Sequence, residues 1–194
     1  MLKIYEQIDD AVKVGDKVLQ LDMAFNVILV AIDMLSDKDL TELEKIEGLI
    51  TIVVANPPAL TLEEKILAAS KIVSDHINLN PIKRIEYDLD GNPMPTKKID
   101  GDDQVMSLKF DGNLIYASFR QAYGIDLFDE QGKLHWAKFS ALLNGLPEDT
   151  AMRQVMTIRG KKIDKHMSSD EKQEIKKLQE YWRIPEEEVI EDGS

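Results

Sequence analysis

The chain has 194 residues, 43% of them apolar, with 36 Asp and Glu against 24 Lys and Arg for a formal charge of -12. That length and apolar content suffice for one domain or two small ones with a buried core, while the negative field repels a phosphate backbone. Cysteine is absent, so there is no disulfide framework, thiolate nucleophile or cysteine-based zinc site, and a reducing cytosol fits.

The opening MLKIYEQIDD turns acidic early and lacks the apolar core of a signal peptide. The longest apolar run, Val27 to Ile32, is far too short to cross a bilayer. Neither export nor membrane insertion is expected. AVKVGDKVLQL alternates around Gly15-Asp16, which predicts a hairpin with strands at 11–14 and 17–21 and glycine where the turn needs an unusual φ. Asp22 reads as the cap of a helix reaching Leu35. Phe25, Ile28, Leu29, Ile32 and Leu35 recur at helical spacing, with Val27, Val30 and Met34 on other faces. A helix apolar almost all round belongs at the buried centre of its domain.

Thr41 and Glu44 have capping-box spacing and open a second helix, with Leu43, Ile46, Ile50 and Val53 as its inner stripe and Asn56-Pro57-Pro58 as its end. Thr61 and Glu64 repeat the box ahead of a third helix, lined by Leu62, Ile66, Val73 and Ile77. Residues 78–106 then carry Pro81, Gly91, Pro93, Pro95 and Gly101 amid Asp, Asn and Lys, the composition of a linker or long surface loop.

Helical periodicity returns from Asp111, with Ile115, Tyr116, Phe119 and Tyr123 on one face and Gly124 as the stop. A helix over 132–145 gathers His135, Trp136, Phe139, Leu142, Leu143 and Leu146 on one side, with the small Ala137, Ser140 and Ala141 on the other. Pro147 suits the first turn of a helix over 148–159 that buries Met152, Val155, Met156 and Ile158. Ser168 and Glu171 cap the last helix, whose buried face is Ile175, Leu178 and Trp182 and which Pro185 closes. The expected fold is mainly α: a short N-terminal β-hairpin with a three-helix unit over 1–78, a linker over 79–106, a C-terminal four-helix module over 107–185 and an acidic tail over 186–194. The dense LHWAKFSALLNGL stretch reads as the core of that C-terminal module.

No residue takes a catalytic, cofactor, metal or partner-binding role from its sequence context. His76, His135 and His166 sit in different elements without a second histidine at ligand spacing, and read as structural. The carboxylate runs at Asp37/Asp39, Glu63/Glu64, Asp100/Asp102/Asp103 and 186–188 read as solvated helix starts and loop charge. Asp88, Asp90 and Asn92 alternate around Gly91 like a calcium loop, but the glycine is misplaced and no glutamate closes the span. Arg159, Lys161, Lys162 and Lys165 form the single basic cluster, read as a polar connector rather than a phosphate patch.

The wording of residues 110–163 carries more than their periodicity. An aspartate-led helix with Ile115, Tyr116, Ser118 and Phe119 is followed by Tyr123 to Leu127, Trp136 with Phe139, Leu142 to Leu146, and Ile158 with Arg159. In these motifs the chain resembles a family of bacteriophage proteins known as gene product fifteen, found in the tail-morphogenesis region of siphophage genomes near the tape-measure gene. The resemblance covers most of the chain, weakly in the linker and tail. It implies a non-enzymatic tail assembly chaperone that coats the tape-measure protein and recruits tail-tube subunits in the host cytoplasm, during phage assembly or prophage induction. The alternative is a connector or completion protein retained in the virion. The expected partners are thus the tape-measure protein and then the tail-tube protein, with a homo-oligomer left open and no cofactor, nucleic acid or membrane. The family supplies no catalytic residues to transfer.

Overall fold

The computed structural model of the chain describes residues 4–77 and 105–185. The calcium-like loop, the acidic tail at 186–194 and all but the last two residues of the 79–106 linker lie outside the described residues. In chain order the elements are β1 (Ala11–Val14), β2 (Lys17–Gln20), α1 (Phe25–Ser36), α2 (Glu42–Val53), α3 (Leu62–Lys71), α4 (Gly112–Tyr123), α5 (Trp136–Asn144), α6 (Ala151–Gly160) and α7 (Ser169–Tyr181), with a π-helical turn, Ile72–Ile77, continuing α3. The mainly helical architecture behind a two-stranded hairpin is as the sequence dictates. The described residues form two compact units, 4–77 with 125–145 and 105–124 with 146–185.

The first unit starts from the antiparallel hairpin, in register from Ala11 opposite Gln20 to Val14 opposite Lys17. Gly15 turns it at φ 62°, a left-handed conformation that glycine adopts at no steric cost. Val12, Val14 and Leu19 are buried. The backbone beyond β2 pairs on: Asp22 N–H donates to Val53 O at 2.7 Å and Ala55 N–H to Gln20 O at 2.9 Å. This extended pairing delays the helix. Ala24, not Asp22, is the N-cap of α1, and the Asp22 carboxylate instead accepts from Ala24 N–H at 3.1 Å.

Helix α1 is not buried all round. It buries Phe25, Ile28 and Ala31, while Val30 is 58% exposed. In α2 the buried residues are Leu49, Ile50 and Val53, and Leu43 faces solvent. The stripe expected for α3 is displaced further. Ile77 is buried as expected, but Ala68, Ala69 and Ile72 are buried with it, whereas Leu62 and Ile66 are exposed. Alanines let the helix axis approach its neighbours closely, and an apolar face chosen by side-chain bulk alone misses that.

Helix α5 belongs to the first unit, not to a C-terminal four-helix module. Its segment is clasped to the start of α1 by Phe25 N–H donating to Leu134 O at 2.9 Å and Trp136 N–H donating to Met23 O at 2.7 Å. Phe139 stacks between Phe25, 4.9 Å away at 15°, and Trp136, 5.7 Å away at 22°. Such ring pairs contribute about 0.5–1.5 kcal/mol each beyond the area they bury. The Trp136 Nε1–H donates to Ile77 O at 3.1 Å, satisfying a carbonyl left over at the end of the π-helical turn. The helix is also shorter than the expected 132–145, because Gly132 has φ 71° and His135 is the N-cap.

In the second unit α6 packs on both α4 and α7. Gly124 closes α4 in the left-handed conformation at φ 68°. Pro147 starts a separate turn, with Thr150 N–H donating to Pro147 O at 3.1 Å, so α6 begins at Ala151 rather than at 148. Ile115, Phe119, Met152, Val155 and Ile175 form the apolar interior, while Leu178 is 40% exposed.

Candidate functional site

Asp111, Ser118 and Arg159 of the 110–163 motif have structural partners inside the second unit. Asp111 and Arg159 meet in a bidentate ion pair at 2.6 and 2.8 Å, with side chains 3% and 8% exposed. The Arg159 guanidinium also donates to Trp182 O at 2.6 Å and Val105 O at 3.1 Å. Asp111 accepts in addition from Ser107 N–H at 2.8 Å. Arg159 is therefore neither a phosphate contact nor a solvated connector charge, in contrast to the exposed Lys161, Lys162 and Lys165 beside it. Ser118 acts as a remote cap: its hydroxyl accepts from Met152 N–H at 3.0 Å and donates to Leu114 O at 2.7 Å. The first of these satisfies one of the free N–H groups in the first turn of α6.

The three histidines are not brought together. His166 is exposed and His76 half-buried in the π-helical turn. His135 caps α5 by accepting from Ala137 N–H through Nδ1 at 3.0 Å. That bond leaves the ring proton on Nε2, which points at Asp10 Oδ1, 2.8 Å away. Among the described residues no cluster of three or more His, Asp or Glu could hold a metal ion, and no helix is long and apolar enough to cross a membrane.

Three glutamates are held below their ordinary pKa. A hydrogen bond from the Thr41 side chain, then the Thr41 backbone, lowers Glu44. The Lys17 ammonium and then Thr61 backbone lower Glu64, and the Ser168 backbone lowers Glu171. All three close capping boxes, and Glu64 is held first by Lys17, so these shifts report helix ends and one ion pair rather than reactive groups.

What the first unit presents instead is an apolar seam along packed helices α2 and α3. Leu43, Glu47 and Ile50 recur along one edge of α2 at i, i+4 and i+7; Leu62 and Ile66 do so on α3 at i and i+4. Leu43, Leu62 and Ile66 are 48%, 54% and 48% exposed. An ion pair of Lys65 Nζ with Glu47 Oε1, at 2.7 Å, bridges the two helices. Beside it lies an open hollow of about 410 Å³, walled by Ile50, Thr51, Pro57, Pro58 and Leu60. No periodicity argument separates such exposed leucines from core ones, which is why the sequence did not reveal the seam.

The family model described as Bacteriophage Gp15 protein matches residues 4–184, nearly the whole chain. The chain belongs to the bacteriophage Gp15 family. No curated protein and no solved structure matches it. The Gp15 match spans both compact units.

Proposed function

We propose that this Gp15 protein is a tail assembly chaperone, which binds and solubilises the tape-measure protein in the host cytoplasm during tail morphogenesis. Membership of the phage family carries the reading. The physical chemistry supports it. A tape measure is a long helix-rich chain with extended apolar stripes, and such chains aggregate unless a partner covers them. An acidic chain of charge -12 keeps an otherwise sticky complex soluble, and exposed aliphatic side chains on helices give it something to grip with.

A chaperone leaves when the tail is complete. Quantitative mass spectrometry of purified virions should therefore find the protein absent or at trace level, while infected-cell lysates hold it in abundance. Stoichiometric recovery from finished virions would instead assign it to a connector or completion part of the tail.

A further inference from the structure

We infer that the α2–α3 seam is a docking groove for an amphipathic helix that carries Lys and Arg beside its apolar stripe. That the helix belongs to the tape measure rests on the chaperone reading; the groove and the chemistry of its occupant do not.

Three observations converge on the seam. Exposed aliphatic side chains stand on both helices, Leu43 on α2 and Leu62 with Ile66, one turn apart, on α3. A partner helix binds such a groove with residues at i, i+3, i+4 and i+7. Beside the Glu47–Lys65 bridge, the hollow walled by Ile50, Pro57, Pro58 and Leu60 offers a socket for a large apolar side chain. Acidic side chains outnumber basic ones on α2 and α3 together. Glu44 and Glu63 stand exposed in the first turns of the two helices, and the Thr41 hydroxyl keeps Glu44 ionised to lower pH.

The lysines nearby are already engaged. Lys65 pairs with Glu47 at 2.7 Å, Lys17 with Glu64 at 2.8 Å, and Lys45 lies 4.0 Å from Glu42. A cationic occupant gains attraction from this rim, and an acidic one is repelled.

The test uses the full chain and two synthetic helical peptides with the same leucine stripe, one flanked by lysines and one by glutamates. Titration followed by anisotropy should show the lysine peptide binding, and the glutamate peptide at least about tenfold weaker. The decisive variant is Leu62→Glu/Ile66→Glu. It adds negative charge, so a purely electrostatic attraction would grow, whereas groove docking should lose about tenfold or more with its two aliphatic anchors. Leu62→Gln/Ile66→Gln should show the same loss without a change of charge, and Leu178→Glu on α7 should bind like the parent. Circular dichroism and melting midpoints of all variants should match the parent, since the altered side chains are exposed. Equal or tighter binding of the lysine peptide by the glutamate variant overturns the groove. So does a wild-type dimer that these substitutions dissociate without affecting peptide, because the seam would then be a contact between copies. Loss of peptide with unchanged capture of the tape measure keeps the groove and separates it from the chaperone reading.

Discussion

Arg159 donates four hydrogen bonds, to Asp111 twice, Val105 O and Trp182 O, from a side chain 8% exposed. Removing one member of a buried pair leaves the other charge desolvated and alone, which costs about 3–5 kcal/mol. Arg159→Ala should therefore lower the urea midpoint of the protein steeply. Arg159→Lys should recover little, because a point charge cannot reproduce the two-pronged fork on Asp111. The double variant Asp111→Ala/Arg159→Ala should cost less than the two single variants added together. A single-variant loss below about 1 kcal/mol would mean that water reaches the pair and that it is no keystone. The partners lie 48 residues apart, so no local pattern could join them. A faint signal existed nonetheless, since one opposite charge stands near each end of the shared 110–163 motif.

Helices α2, α3 and α7 each begin with a full capping box. The boxes were legible in the sequence because they are local: a hydroxyl and a glutamate three residues apart satisfy each other's backbone. They also set an acid limit. The folded-state pKa of Glu44, Glu64 and Glu171 lies below the ordinary 4.5. Stability from a depressed carboxylate is fully present above that ordinary value and is lost as pH falls through the folded one. Urea midpoints should hold steady from pH 7 to about 5 and then fall towards pH 3. Glu44→Gln/Glu64→Gln/Glu171→Gln should start lower and show a shallower acid fall, because glutamine keeps part of the box without titrating. An unchanged acid slope in the triple variant would contradict the assignment. Where helices pack, by contrast, the sequence said less. Periodicity showed that α5 has an apolar face with Trp136 and Phe139, but not that Phe25 and Ile77 would meet it. On α3 the bulky Leu62 and Ile66 drew the stripe, and the buried contact went to Ala68 and Ala69.

At the scale of the molecule, two compact units are built from interleaved stretches of one chain, and the Gp15 match runs through both. The chain's acidic charge and the uncovered leucine seam are a combination that a self-contained core does not require. Contiguous exposed apolar patches rimmed by polar residues mark interaction sites. We propose that the tape measure is the partner of this surface, and co-expression tests that directly. The tape-measure protein of the same phage, made alone and together with this protein, should move from the insoluble to the soluble fraction and co-purify with it. Removing residues 186–194 should weaken the complex only modestly and chiefly at low salt, since long-range charge attraction is screened beyond about a Debye length. A tape measure that stays insoluble and never co-purifies at any salt concentration, beside a well-folded partner, would contradict the account.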